Sequence, residues 1–271
     1  MEFLILLALG FAAGILSGLL GIGGGMIFTP VMFYLFQFYG VDEPVKWTIG
    51  TSLFCSFTSA LSSVVPQLHK FRLFMREALW LSLFGVAGTW VAQQIVNSGY
   101  YDRGPFAVLF SMVLFYTAWR FFAYNKSSIE TKRQNRPKFL NLPDLAMVGG
   151  SAGLVSSLVG IGGGIVVVPF MTLMYHQHIR KVTATSSVVV VLLALAGWFQ
   201  LAILDAGTGI SSYTLGFVDI GAALPLVIGS FVGALFGLRI AVRVNRKRLQ
   251  QIFGVLAVLL GLKLWWDFLI P

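Results

Sequence analysis

Apolar residues run in long blocks along this chain, and the polar residues gather between them. The blocks cover roughly 3–39, 47–68, 77–97, 104–123, 144–175, 182–204, 215–238 and 249–269. About 20 helical residues at 1.5 Å each cross ~30 Å of hydrocarbon, so most of these blocks predict single membrane-spanning helices. Two blocks, 3–39 and 144–175, are too long for one ordinary span. Each is interrupted in its middle by glycines and then a proline. The polar stretch Asn125–Asn141, with Lys126, Lys132, Arg133, Arg136 and Lys138, reads as a linker between two halves.

The two long blocks match each other. The first reads Gly14-Ile15-Leu16-Ser17-Gly18-Leu19-Leu20-Gly21-Ile22-Gly23-Gly24-Gly25, with Pro30 beyond. The second reads Gly153-Leu154-Val155-Ser156-Ser157-Leu158-Val159-Gly160-Ile161-Gly162-Gly163-Gly164, with Pro169 beyond. A second match follows in the same order, Gly50-Thr51-Ser52 against Ala184-Thr185-Ser186. Two motifs repeated in order at similar spacing point to an internal duplication. The expected division is a first transmembrane repeat at 1–124, a cytoplasmic linker at 125–143 and a second transmembrane repeat at 144–271.

Basic residues orient the chain. Lys70, Arg72 and Arg76 mark the 69–76 loop, and Arg239, Arg243, Arg246, Lys247 and Arg248 mark 239–248. The linker is equally basic, whereas 98–103 holds only Arg103 beside Asp102 and 205–214 holds no Lys or Arg. Cytoplasmic loops carry the Lys/Arg excess, so 69–76, 124–143 and 239–248 are expected inside, and 98–103 and 205–214 outside. A single crossing by 144–175 would invert every later loop and put the basic 239–248 loop outside. A block that enters and returns avoids this, and the same logic places both termini outside. Met1 and Glu2 lead into the first apolar run without a basic flank, so that run is expected to be retained as helix rather than cleaved as a signal peptide. The expected fold is an all-α polytopic transmembrane helical bundle of two inverted-topology repeats. Each repeat is a broken or re-entrant helix pair plus three spans.

Composition agrees with lipid as the main solvent. Hydrophobic residues make up 57% of the 271, charged residues only 11%, and the mean hydropathy is +0.85. The net charge of +9 sits in short loops at span ends, where it sets topology and meets anionic headgroups, so nucleic acid is not an expected partner. The lone Cys55 excludes an intramolecular disulfide.

The repeated glycines carry the sharpest chemistry. Glycine is a poor helix former, and backbone that leaves the helix in hydrocarbon must find polar partners. Such a break survives inside protein or beside a wet cavity. A helix that resumes after Gly25 or Gly164 points free N–H groups and its positive dipole end into that space, which suits an anion. The expected binding set is therefore Gly23, Gly24, Gly25, Gly162, Gly163 and Gly164. The hydroxyls of Thr51, Ser52, Thr185 and Ser186 join them as neutral donors. Gly14 and Gly18 fit close helix packing instead. The tract Ser56, Thr58, Ser59, Ser62 and Ser63 also reads as packing. Gln67, Gln93, Gln94 and Gln200 read equally as interhelical links or as path-lining amides. Asp205 and Asp219 read as solvated or helix-end carboxylates, with a proton-coupling acid as the alternative for Asp219. His176 and His178 in a short loop make a weak metal signal. The tryptophans Trp80, Trp90, Trp119, Trp265 and Trp266 fit interface belts. Neither an acid/base cluster nor a Walker A sequence is present, so an enzyme is not expected, and no cofactor or metal is implied.

At these residues the chain resembles the sulfite exporter TauE/SafE family. The resemblance rests on Gly18-Leu19-Leu20-Gly21-Ile22-Gly23-Gly24-Gly25 with Pro30, its copy at 157–169, and Gly50-Thr51-Ser52 with His69 downstream. The tail Leu224-Pro225-Leu226-Val227-Ile228-Gly229 with Gly233, Gly237 and Arg239 extends it over nearly the whole chain. It implies a transporter that exports sulfite, sulfoacetate or a similar small anion; the inner (cytoplasmic) membrane is the expected location, and the resemblance leaves the coupling ion open, with H+ and Na+ as the candidates. Ala184 stands where the first half has Gly50, so the halves need not contribute equally. A passive anion channel and a non-transporting membrane subunit are the rival expectations.

Overall fold

Helix lies in each of the apolar blocks in a computed structural model, which describes residues 2–20, 23–65, 75–123, 141–173, 175, 179–207, 209–240 and 246–269. The first half holds α1 (Glu2–Leu20), α2 (Gly25–Phe38), α3 (Pro44–Val64), α4 (Met75–Asn97) and α5 (Arg103–Ala123). The second holds α6 (Leu142–Val159), α7 (Gly164–Leu173), α8 (Ile179–Ala202), α9 (Ile220–Ile240) and α10 (Arg246–Leu269). Both long blocks are split at their glycines, the first into α1 and α2, the second into α6 and α7. By length and composition, α4, α6, α8 and α9 each hold a segment able to cross a membrane, and α1 and α2 are shorter apolar helices. Local signals set several starts. Pro44 begins α3, and α6 begins with a capping box in which Asn141 and Asp144 satisfy each other's backbone N–H groups.

One boundary departs from the hydrophobic pattern. The block beginning at 215 does not start as helix: β1 (Thr214–Leu215) and β2 (Val218–Asp219) form a short antiparallel hairpin, and α9 begins at Ile220. Its apolar residues are used to fold a loop inward. Phe217 is buried and meets the Trp47 ring edge-on at 5.6 Å, and its N–H donates to the Leu201 carbonyl at 3.1 Å.

The principal helix contacts cross the linker. In each half the first helix packs on the fourth of the other half, α1 on α9 and α6 on α4. The third helices, α3 and α8, pack together, and so do the fifth, α5 and α10. Glycine makes the first kind of crossing close enough for backbone to touch backbone. A Cβ added at Gly14 would lie 2.7 Å from Ser230 Cα, and one at Gly153 would lie 2.7 Å from the Gly85 carbonyl carbon. Gly14 is thus a packing residue, as its spacing predicts. Many large apolar side chains face outward, among them Trp90, Trp119, Phe199, Leu259 and Trp266. An exposed apolar surface of this kind fits acyl chains as solvent.

Candidate functional site

The glycine pairs that end the two interruptions have the same backbone. Gly23 and Gly24 stand at φ 90° and 70°, and Gly162 and Gly163 at 91° and 78°. Side chains rarely tolerate this left-handed region, which explains glycine at these positions in both halves. The helices that follow start alike. Ile27 and Phe28 N–H both donate to the Gly24 carbonyl, and Val166 and Val167 N–H both donate to that of Gly163. The N–H groups of Gly25, Met26, Gly164 and Ile165 open their helices and have no intrahelical acceptor. Gly25 is needed for another reason: a Cβ there would lie 2.6 Å from Ile161 Cα. The two breaks therefore abut in the interior, where 23–25 and 160–164 are all buried. Val190 of α8 sits against both, its Cγ1 2.5 Å from the place a Gly23 Cβ would take and 3.0 Å from that of Gly162.

Two of the nearby hydroxyls reach this contact directly. The break in the second half frees the Gly160 carbonyl, and two hydroxyls from the first half meet it. Thr29 Oγ1 and Ser52 Oγ each donate to it at 3.1 Å. Thr51 Oγ1 accepts the Asp219 N–H at 3.1 Å, and neighbouring Gly50 leaves room for the Phe217 backbone. Thr185 is buried and its hydroxyl has no partner, and Ser186 is fully buried. The two matched Thr-Ser pairs thus do different work. The first is occupied in joining the halves, whereas Thr185 keeps an unspent hydroxyl.

Further hydroxyls are buried and unmet, which a sequence reading does not show. Ser17, Ser56, Ser59, Ser156 and Ser157 are buried without a hydrogen-bond partner. Helical hydroxyls in apolar surroundings ordinarily bond back to their own helix. Others in this chain do so, including Ser82 to Ala78 O at 2.8 Å, Ser111 to Ala107 O at 2.6 Å and Thr172 to Val168 O at 2.7 Å. These five serines do not, and two of them, Ser56 and Ser156, lie against the second break. A signal did exist for one pair, because Ser17 and Ser156 stand at the same place in the two glycine blocks. Ser56 and Ser59 looked like the packing serines around them, and only their unmet hydroxyls separate them from Ser62 and Ser63, which bond to Ser59 O.

Asp219 is not solvated. It is 0% exposed, and among the described residues it is the only fully buried charged side chain. Its Oδ2 accepts the Ile210 and Ser211 N–H groups at 2.8 and 2.9 Å, and its Oδ1 accepts the Ser211 hydroxyl and the Ala222 N–H. It therefore caps α9 and clips the 209–211 segment onto the bundle. Two amides act as interhelical links. Gln93 Nε2 donates to the Gly197 carbonyl at 3.5 Å, and Gln200 Nε2 reaches Thr89 Oγ1 at 3.4 Å, both joining α4 to α8. Gln94 and Asp205 are exposed. Lys181 and Glu77 pair at 2.7 Å near the starts of α8 and α4. Gln67, His69, His176, His178 and nearly all of the linker lie outside the described residues.

The comparisons point to membrane transport. The profile of the family described as "Sulfite exporter TauE/SafE" matches residues 6–264. A probable membrane transporter protein of Methanocaldococcus jannaschii is 27% identical over 266 residues, covering 96% of each chain. Probable membrane transporter proteins of Haemophilus influenzae and Bacillus subtilis are each 26% identical, covering 97% and 98% of both chains respectively. No solved structure matches.

Proposed function

Because the chain belongs to the sulfite exporter TauE/SafE family, a family of membrane transporters, we propose that it exports a small organosulfur anion or sulfur oxyanion, such as sulfite or sulfoacetate, by alternating access. One observation carries the reading: two broken helices abut inside the bundle among buried hydroxyls that no protein group satisfies. An unmet hydroxyl is costly in a dry interior, so a cluster of them favours a site that a polar ligand completes. The donors are neutral. A fixed buried cation would stabilise the bound anion as much as the anion in transit and slow its release. The basic loops on the expected cytoplasmic side would raise the local anion concentration where loading occurs.

The cross-linker packing bears on the moving parts. Rocking the two sequence halves as rigid bodies would tear the glycine crossings of α1 with α9 and α6 with α4. We therefore take the moving units to be those locked pairs, which slide past each other at the α3–α8 contact and open the abutting breaks. The inverted arrangement of the repeats, the inner-membrane location with external termini, and a coupling ion (H+ or Na+) belong to the same proposal.

Uptake of radiolabelled sulfite into proteoliposomes tests it. Saturable flux is expected, reduced by Thr185→Val and, through the loop it holds, by Thr51→Val. Flux without saturation would favour a passive channel, and no flux at all a non-transporting subunit. Wild-type rates in both variants would remove these hydroxyls from the mechanism.

A further inference from the structure

The glycine pairs of the two breaks share a backbone but not their surroundings. Aligning the repeated motifs sets Ser56 against Val190, Thr29 against Val168 and Ser157 against Gly18. The second break thus has hydroxyls where the first has aliphatic side chains or none. The contacts follow this pattern. A Cβ at Gly162 would lie 3.0 Å from Val190 Cγ1 and 3.5 Å from Ser56 Cβ, and one at Gly163 2.9 Å from Leu193 Cδ1 and 3.5 Å from Ser156 Cβ. Both serines are 0% exposed, come from different helices (α3 and α6), and have hydroxyls without a partner. They flank the two left-handed glycines that lead into the N-terminus of α7, whose first N–H groups are free. Against the first break, the contact at Gly23 is the Val190 side chain.

Resting on the transporter reading above, we propose that the chain has one oxyanion seat rather than two, formed at the second break by the Ser56 and Ser156 hydroxyls and the free N–H groups after Gly163. Val190 touches both breaks, but at Gly23 it supplies all of the nearest contacts, whereas at Gly162 it shares them with Ser56, so the first break has no matching hydroxyl there. The chemistry is that of a tetrahedral or pyramidal oxyanion. Its oxygens accept from hydroxyl and backbone donors, with no proton transfer and no fixed countercharge. Ser17 matches Ser156 in sequence and is equally orphaned, but it belongs to α1, the helix that leads into the first break, and takes no part.

The test is binding of radiolabelled sulfite, and of methanesulfonate as competitor, to the full chain in lipid nanodiscs. Thermal unfolding with and without anion is the second readout. The wild type is expected to bind one anion per chain. Loss of a hydrogen bond to a charged ligand weakens binding by about tenfold or more, expected for S56A and for S156A. S17A is expected to bind like the wild type. Removing an orphan hydroxyl leaves nothing new unsatisfied, so S56A and S156A should melt no lower than the wild type without anion and lose the anion-dependent rise. Isosteric S56C, should S56A fold poorly, is expected to show the same loss of affinity. Two anions per chain, or an S17A loss equal to that of S156A, overturns the single seat. Undiminished binding in both S56A and S156A overturns this inference alone. A wild type that binds neither anion overturns it together with the transporter reading.

Discussion

Replacing Asp219 by alanine gives the most direct test of how the outer loop is held. The side chain accepts from the N–H groups of Ile210, Ser211 and Ala222 and from the Ser211 hydroxyl. The Ala222 bond is a helix cap, and losing a cap of this type costs about 1 kcal/mol. Each remaining bond to a charged acceptor contributes about 1.5–3 kcal/mol where water cannot replace it. Ile210 and Ser211 are only half-buried, so water recovers part of their loss. The net cost for D219A is then on the order of 3–5 kcal/mol. D219N should lose roughly half as much: its carbonyl oxygen can still cap α9, but its NH2 would face the donors of Ile210 and Ser211. Thermal unfolding in nanodiscs reads the total, and amide hydrogen exchange across 205–222 localises it. Exchange should quicken at Ile210, Ser211 and Asp219, since the Asp219 N–H donates to Thr51. A D219A protein that melts like the wild type, with unchanged exchange at those amides, would refute the clip.

Two further predictions follow from the packing. Gly153→Val should prevent assembly of a monodisperse protein, because even a Cβ there meets the Gly85 backbone. At Gly40, where nothing lies within 4 Å but φ is +64°, alanine should cost only about 1 kcal/mol. Size-exclusion profiles compare them, and an undisturbed G153V would sink the backbone-contact argument. For topology, Cys55 is fully buried and should not react with a membrane-impermeant maleimide. Cysteines introduced at His178 and Ile210 should be labelled only from the cytoplasm and only from outside, respectively. Labelling of both from one side would break the proposed orientation.

The amino-acid sequence alone determined the solvent, the positions of the helices and the place of both breaks. These are local or summed properties: a run of apolar residues long enough for a bilayer, and glycines at positions that only left-handed backbone can fill. It also ranked Gly14 correctly as packing. Tertiary structure decided which polar groups are spent. Thr51 and Thr185 look alike along the chain, yet one accepts the Asp219 N–H and the other has no partner. Ser56 resembles its neighbour serines until Gly162 is brought beside it, and Asp219 reads as either a solvated or a helix-end carboxylate until the structure shows it buried as the cap of α9. The physical reason is that hydrogen-bond satisfaction is a property of partners distant in sequence. Residues such as Thr29 and Gly160, or Gly25 and Ile161, meet only because helices of the two halves pack together across the linker, and a one-dimensional pattern carries no record of that packing.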